Sequence, residues 1–244
     1  MALAWLKPED PPEAFPPAEQ ALVYPNGLLA AGGDLSPARL RAAYARGLFP
    51  WFNPGEPILW WCPDPRCVFR TEALHISRGL ARALSQDDYA VTLDRAFSEV
   101  VRACAAPRSG QRGTWLVPQM RTAYQKLHEQ GDAHSVEVWR EGKLIGGLYG
   151  VALGRMFFGE SMFSRESDAS KLALVWLCRQ LESWGFQLLD AQVSSPHLYR
   201  LGAEDLPRSV FLKQLARALS LTAIRGVWRF DLDAPAAAAQ LPRG

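Results

Sequence analysis

The segment from residue 135 to residue 163 constrains the fold most, because it alternates extended stretches with turns. SVEVWR, KLIGGLYGVAL and RMFFGESMF are rich in β-branched and aromatic residues, and turn residues separate them at Glu141, Gly142 and Gly154. Such short turns join antiparallel neighbours, since parallel strands need a much longer crossover. The sequence therefore predicts an antiparallel meander over this segment.

A helix and a further strand follow the meander. Ser167 or Asp168 is placed to cap a long helix, and Gly185 is placed to end it. The helix carries an apolar stripe, made of Leu174, Leu177, Leu181 and Trp184. The next residues, FQLLDAQV, predict a strand. Antiparallel strands, a helix across one face and a further strand predict an α+β layered fold.

The N-terminal part has a different pattern. A glycine-rich turn over 27–33 leads to a short helix that Ser36 caps and Gly47 ends. Two aromatic stretches, LFPWF and ILWW, follow, and they are too short for a second core. We therefore expect a small N-terminal domain over 1–65, a larger domain over 66–232 and a disordered, alanine- and proline-rich tail over 233–244.

Composition limits the classes of function. The formal net charge is only +2, so any contact with RNA must be local. The four cysteines form no CxxC pair and the four histidines no HxxxH or HxH pair, so we expect no metal site, and we expect no cofactor. There is no signal-peptide pattern and no apolar run near the ~20 residues that span a bilayer. We expect a cytoplasmic monomer that does not bind membranes.

The strand FQLLDAQV carries the sharpest candidate for chemistry. Alternation along a strand places Asp190 and Gln192 on one face, about 6.6 Å apart, while Ala191 takes the other face. Phe186 and Leu188 share the face of the polar pair, so that face is mostly covered. Buried polar groups have partners or a task. Both a functional site and a satisfied structural network fit this pattern.

A second candidate is Glu160, which lies in the aromatic and methionine-rich segment RMFFGESMFS. Methionine and phenylalanine offer an adaptable apolar pocket, and the carboxylate is able to receive a cationic group or an amine. The alternative is core packing in which Glu160 pairs with a nearby arginine.

Aromatic and cationic residues supply two weaker candidates. Tryptophans are dense between Trp51 and Trp115, and indoles stack on nucleic-acid bases at roughly 1–3 kcal/mol each, although most tryptophans are core residues. Arg78 and Arg82 lie four residues apart on a predicted short helix. With the upstream Arg66 and Arg70 they form either a phosphate-facing patch or a solvated helix face.

The ordered motifs of the chain resemble the bacterial leucyl/phenylalanyl-tRNA protein transferases from about Phe15 to Leu215. They are PNGLLAAGGDLSPARLRAAYARGLFPWF, ILWWCPDPR, HISRGL, AHSVEVW, GGLYGVALG, GESMFSR, ASK and LLDAQ. The resemblance implies a small N-terminal domain followed by an acyltransferase domain of the GNAT type. It also implies the reaction: Leu or Phe, less readily Met, moves from aminoacyl-tRNA to an N-terminal Arg or Lys of a protein, marking it for degradation through the N-degron pathway.

The resemblance also implies roles for single residues. The catalytic carboxylate and amide correspond to Asp190 and Gln192. The aromatic residues around the terminal adenosine and aminoacyl group correspond to Trp51 and Trp115. The pocket for the amino-acid side chain corresponds to Leu148, Phe157, Met162 and Leu177, with Glu160 at its polar edge. The helix that contacts the tRNA acceptor stem carries Arg78 and Arg82.

The chain departs from the usual pattern of this family at three places near the predicted site, one of them at Ser195, before or near which asparagine is common. Ala191 stands where cysteine is common, and we expect little effect because Ala191 is predicted to point away from the catalytic face. Arg200 stands where a small residue is common, in the loop after the strand, together with Ser194 and Ser195. These loop residues leave recognition of the acceptor peptide open.

Two other functions compete with aminoacyl transfer. An acetyl-CoA-dependent N-acetyltransferase would carry a glycine-rich Q/RxxGxG turn at the helix start to hold pyrophosphate, whereas this chain has SRESDA there. A non-catalytic RNA-binding module would use the tryptophans and arginines alone. It would not explain a polar pair on a covered strand face.

Overall fold

The computed structural model describes residues 3–107 and 116–234. The N-terminal part forms a four-stranded sheet in the order β1-β2-β4-β3, in which only β1 and β2 are parallel. Its elements are β1 (Ala4–Leu6), β2 (Leu28–Gly32), α1 (Pro37–Ala45), β3 (Phe49–Pro50) and β4 (Leu59–Trp61). Trp115 and the part of the predicted tail from Pro235 onward lie outside the described residues.

Helix α1 anchors the N-terminal segment. As predicted, the Ser36 hydroxyl accepts a hydrogen bond from the Arg39 main-chain N–H. The guanidinium of Arg39 is buried, and it binds Asp34 at 3.2 Å and donates to the main-chain carbonyls of Asp10 and Pro11. A buried cation needs such partners, because removing it from water costs several kcal/mol. The proline-rich segment is therefore held against α1.

The rest of the chain forms a seven-stranded sheet in the order β11-β5-β10-β9-β8-β7-β6. Its strands are β5 (Arg66–Arg70), β6 (Ala90–Leu93), β7 (Ala133–Arg140), β8 (Lys143–Leu153), β9 (Met156–Ser164), β10 (Leu188–Gln192) and β11 (Glu204–Leu206). The helices are α2 (Arg78–Leu84), α3 (Phe97–Cys104), α4 (Pro118–Glu129), α5 (Ala169–Ser183), α6 (Pro196–Arg200) and α7 (Arg208–Leu219). Neighbouring strands are antiparallel except β9 and β10.

The predicted meander and α+β class are confirmed. Strands β7, β8 and β9 pair in sequence, and Glu141, Gly142 and Gly154 adopt positive φ at the turns between them. The predicted cap of α5 is wrong in detail. Asp168 occupies the cap position with φ +64°, but the hydroxyl of Ser164 accepts the Ser170 N–H at 2.9 Å.

Two hydrophobic clusters cover the two faces of the large sheet. One contains residues of α1, α3, α4 and α7 together with the N-terminal sheet, and the other contains α5. Adjacent residues of β9 divide between them, with Phe158 in the first cluster and Phe157 in the second. The four-stranded sheet therefore shares a core with the large sheet, and the predicted boundary near residue 65 stays a prediction.

No helix among the described residues is long and apolar enough to pass through a bilayer.

Candidate active site

A cavity opens where the parallel strands β9 and β10 separate. They pair from Leu188 with Met156 to Asp190 with Phe158, and beyond this point β9 continues along β8 alone. The cavity has a volume of about 510 Å³. Its lining residues are Phe69, Leu148, Tyr149, Phe157, Gly159, Glu160, Ser161, Met162, Leu174, Leu189, Ala191, Ser195, His197 and Leu198.

Most of this wall is hydrophobic, and a few polar groups interrupt it. Five of the lining side chains are able to exchange protons or take part in hydrogen bonds. They are Tyr149, Glu160, Ser161, Ser195 and His197. An apolar wall with few polar groups suits a ligand with a hydrophobic side chain and a reactive polar end.

Glu160 is the most perturbed acid of this cavity. The hydroxyls of Tyr44 and Tyr124 donate to its two carboxylate oxygens, and the amide Nε2 of Gln192 donates to Oε1 at 2.8 Å. Burial, with a smaller contribution from the nearby Asp190, raises the pKa of Glu160 to about 7, although the three hydrogen bonds oppose the increase. Glu160 therefore changes its charge near neutral pH at the cavity wall.

Asp190 has the opposite environment. Its two carboxylate oxygens accept hydrogen bonds from Arg66 Nε at 2.7 Å and Nη2 at 2.6 Å, and both side chains are 0% exposed. Oδ1 also accepts the main-chain N–H of Gln192 at 2.9 Å. Asp190 is fully occupied by these partners and does not line the cavity.

Arg66 joins the two sheets. Its Nη1 donates to the carbonyl of Gly47 at 2.9 Å, and its guanidinium lies 4.8 Å from the ring centre of Phe49 and 4.6 Å from that of Phe211. Arg66 is fully buried, so the prediction that it belongs to a phosphate-facing patch is wrong. Its guanidinium forms an ion pair with the Asp190 carboxylate instead.

Gln192 departs from regular strand geometry. Its φ is +63°, and the pairing of β10 with β5 shifts register between Asp190 and Gln192. A residue other than glycine in this region costs of order 1–3 kcal/mol and persists where its surroundings hold it. The simple alternation predicted for the pair is therefore wrong at Gln192, and Ala191, predicted to point away from the site, lines the cavity.

The structure brings together most of the residues predicted for the pocket. Leu148, Phe157, Glu160 and Met162 all line the cavity. Leu177 is fully buried in the hydrophobic cluster around α5, and Leu174, one turn earlier, takes the place on the wall.

The residues predicted for nucleic-acid contact lie elsewhere. Trp51 is 44% exposed and packs against Trp61, with ring centres 5.7 Å apart, outside the cavity wall. Arg78 and Arg82 are exposed on α2. Trp115 lies outside the described residues.

Sequence reasoning missed the roles of Tyr44, Tyr124 and Arg66. Both tyrosines are buried, Tyr44 on α1 and Tyr124 on α4, and their hydroxyls lie 3.0 Å apart. A buried tyrosine hydroxyl usually has a hydrogen-bond partner, and this rule is the signal that points to a buried polar group beside them. Among the described residues, no group of three or more histidine, cysteine, aspartate or glutamate side chains is arranged to hold a metal ion.

Comparisons with known proteins identify the family. The model of the leucyl/phenylalanyl-tRNA protein transferase matches residues 68–216, and the model of its N-terminal domain matches residues 33–64. A leucyl/phenylalanyl-tRNA–protein transferase of Alkalilimnicola ehrlichii is 62% identical over 95% of this chain and 90% of its own length. Its counterpart in Nitrosomonas europaea is 59% identical over 91% of this chain and 94% of its own length.

A solved structure described as a GCN5-related N-acetyltransferase from Kribbella flavida has a TM-score of 0.36 and 12% identity to this chain. The match covers 70% of this chain and 61% of the other. The residues matched by the two family models include Tyr44, Tyr124, Glu160, Asp190 and Gln192. The chain belongs to the leucyl/phenylalanyl-tRNA protein transferase family, a family of transferase enzymes.

Proposed function

We propose that this protein moves Leu or Phe, and less readily Met, from aminoacyl-tRNA to the N-terminal Arg or Lys of an acceptor protein. The new peptide bond marks that protein for degradation. The observation that carries the proposal is the cavity, whose wall is mostly apolar and includes Glu160, a carboxylate that accepts a hydrogen bond from the Gln192 amide. Charged tRNA is cytoplasmic, and we propose that the protein acts there as a monomer.

The cavity wall explains a preference for several unbranched-at-β hydrophobic side chains. Leu148, Phe157 and Met162 offer apolar contacts, and the flexible thioether of Met162 adapts to ligands of different shape. Hydrophobic pockets discriminate weakly, at about 1–3 kcal/mol per methylene. Acceptance of Leu, Phe and Met by one cavity follows from this.

The chemistry is attack of a neutral α-amine on the ester carbonyl of the aminoacyl group. The C–N bond forms, the ester C–O bond breaks, the amine loses a proton and the ribose 3′-oxygen gains one. Glu160 is suited to take the amine proton, because its pKa of about 7 lies near that of an α-amino group, about 7.7–8.0. Its carboxylate also favours a cationic acceptor N-terminus.

Gln192 and Asp190 act differently in this proposal. The Gln192 amide donates to Glu160, a wall residue of the cavity, and in this proposal it orients the ester or its developing oxyanion. Asp190 is a positioning residue, because it holds the Gln192 main chain in its left-handed conformation while Arg66 occupies its carboxylate. Asp190 thus serves as an electrostatic anchor and does not touch the amine.

The tRNA contacts are proposed from exposure and charge. Arg78 and Arg82 lie four residues apart on the exposed face of α2, the spacing of neighbours on a helix, and suit phosphates of the acceptor stem. Trp51 offers an exposed indole for stacking on the terminal adenosine. Trp115 is proposed for the same region.

The test is transfer of labelled leucine from Leu-tRNA to a peptide that begins with Arg, with purified protein and without ATP. We expect labelled peptide with an Arg or Lys start and none with the same peptide beginning with Asp. A purified relative of this family serves as the positive control. Salt-dependent binding of tRNA with no transfer, in a reaction where the relative is active, would favour an RNA-binding module instead. Stabilisation by acetyl-CoA with acetylation of the peptide would favour the N-acetyltransferase.

A further inference from the structure

A second cavity, of about 430 Å³, adjoins the candidate active site. The two share a wall residue, His197. The other lining residues are His75, Ser77, Lys171, Tyr199, Arg200 and Leu201. No acidic side chain occurs among these described lining residues, whereas two permanent cations and two imidazoles do.

The charged groups around this cavity lower the pKa of His197 and have few acidic partners. Burial lowers the pKa of His197, and the charges of Lys171 and Arg200 lower it further. Two acidic residues contact the cavity from outside its wall: Asp168 binds Lys171 Nζ at 2.6 Å, and Asp205 accepts the Tyr199 hydroxyl at 2.6 Å. Arg200 is exposed at the end of α6. The wall therefore favours an anion.

The position of the cavity suggests which anion. On one side it meets the active-site cavity at His197, and on the other it includes Ser77, the residue directly before Arg78 on α2. When the aminoacyl group occupies the active-site cavity, the last nucleotide lies at its mouth. A strand that continues along the adjoining wall, on the side of α2, would bring the preceding phosphodiester to the second cavity.

We propose that His75, Lys171, His197 and Arg200 form a binding site for a phosphate group of the 3′-terminal strand of the tRNA. This inference rests on the transfer function proposed above. A guanidinium and an ammonium both bind phosphate through charge-assisted hydrogen bonds, and the arginine fork adds orientation. The acceptor protein does not fit the site, because its N-terminal Arg or Lys would be repelled by Lys171 and Arg200.

The test compares two small donors, 3′-O-leucyl-adenosine and its 5′-phosphate, each with the Arg-started peptide. We expect wild-type protein to react with a higher kcat/KM on the phosphorylated donor. Arg200→Ser should lower the ratio of the two kcat/KM values about tenfold, the size expected for one hydrogen bond to a charged group. The matched control is Arg225→Ser, which removes an exposed arginine outside both cavities and should leave the ratio unchanged.

Lys171→Met provides a second variant, read by the same ratio and checked for folding by circular dichroism. A ratio equal to that of wild type in both Arg200→Ser and Lys171→Met would overturn the phosphate site and leave the transfer function intact. Failure of wild-type protein to use either donor and Leu-tRNA would overturn the transfer function and this site with it.

Discussion

Glu160 and Asp190 are carboxylates of adjacent strands, yet their neighbours give them different chemistry. Glu160 faces a cavity and has two tyrosine hydroxyls and an amide as partners, so its charge depends on pH near neutrality. Asp190 has a guanidinium as its partner and no access to the cavity. Environments that separate two acids in this way commonly assign them separate roles.

Glu160→Gln tests the role of the first acid. Because the carboxylate forms through a pKa of about 7, we expect wild-type kcat/KM for transfer to rise with pH through this region. The variant should lose the part of the rise near pH 7, keep the later rise that the peptide amine causes at about pH 7.7–8.0, and lose about a hundredfold in rate, the lower end for a proton-transfer group. The profile is measured with Leu-tRNA at saturating peptide. Glu182→Gln, an exposed change on α5, should match wild type. A variant profile that keeps the rise near pH 7 would remove Glu160 as the base.

The variant Arg66→Met tests how much the ion pair of Arg66 with Asp190 contributes to the free energy of unfolding. The variant leaves Asp190 buried without its partner, so we expect the free energy of unfolding to fall by about 3–5 kcal/mol. Arg70→Met is the matched control, because Arg70 lies on the same strand as Arg66 and its ion pair with Glu204 of β11, 42% exposed on both sides, contributes about 1 kcal/mol or less. Urea unfolding measures both. The double variant Arg66→Met/Asp190→Leu should recover part of the loss, and equal losses in single and double variants would contradict the pairing.

At the scale of single elements, strand β8 needs glycines at two positions because neighbouring atoms leave no room for a side chain there. A Cβ on Gly146 would lie 2.4 Å from the Cβ of Ala169 at the start of α5, and one on Gly150 would lie 2.2 Å from the carbonyl oxygen of Phe158. These glycines serve close packing of the helix and of the neighbouring strand. Gly159 is different, because it lines the active-site cavity. Close packing therefore accounts for Gly146 and Gly150, and Gly159 lies at the cavity wall.

Gly146→Ala should destabilise the protein by about 1–3 kcal/mol, because the added methyl has no room beside Ala169. Gly79→Ala is the control: a Cβ there has nothing within 4 Å, and alanine favours a helix by up to about 1 kcal/mol. Thermal unfolding of the two variants should shift in opposite directions. A shift of the same sign would show that α5 moves away from β8 at little cost.

Elements with a local pattern were predictable, and this includes the meander and α5. Their turns, periodicity and glycines lie within a few residues of each other in the sequence. The register shift at Gln192 was not predictable, because a left-handed glutamine has no sequence signal and depends on the Asp190 carboxylate that holds its N–H. The sequence also could not show that Leu174 and not Leu177 lines the cavity, because the rotation of α5 about its axis depends on packing against distant residues.

At the scale of the whole molecule, the buried acids make stability depend on pH. Burial raises the pKa of Glu137 and of Glu160 to about 7, from 4.5. Both groups bind protons more tightly in the folded state, so their favourable contribution is complete below about pH 4.5 and is lost as the pH rises through 7. Glu137 lies beneath the start of α3, with the N–H of Ala96 among its partners.

The free energy of unfolding should therefore decrease between pH 5 and about 7.5, against the trend of proteins whose paired carboxylates have lowered pKa values. Urea unfolding at fixed ionic strength across this range measures the slope. Glu160→Gln removes one titrating group, so its curve should be flatter than that of wild type. Parallel curves for the two proteins would mean that Glu160 does not contribute to the slope.

The features that could not be predicted at this scale, an ion pair and a cavity, depend on contacts between distant segments of the chain. The Arg66–Asp190 pair joins residues 124 positions apart, and the cavity exists only because β9 and β10 separate after Asp190. Neither feature has a local pattern. The motifs identified the family and four of the wall residues, Leu148, Phe157, Glu160 and Met162, whereas the network that positions Gln192 required the folded chain.

The link between Arg66 and Asp190 also has a consequence for synthesis on the ribosome. Arg66 emerges 124 residues before its counter-ion, together with the Gly47 carbonyl that it binds. Until β10 has been translated, burial of this cation has no compensating carboxylate, so the nascent chain gains little by closing its N-terminal segment over β5. We therefore expect closure and the assembly of β10 to occur together, late in translation, and a chain truncated before β10 to lack both.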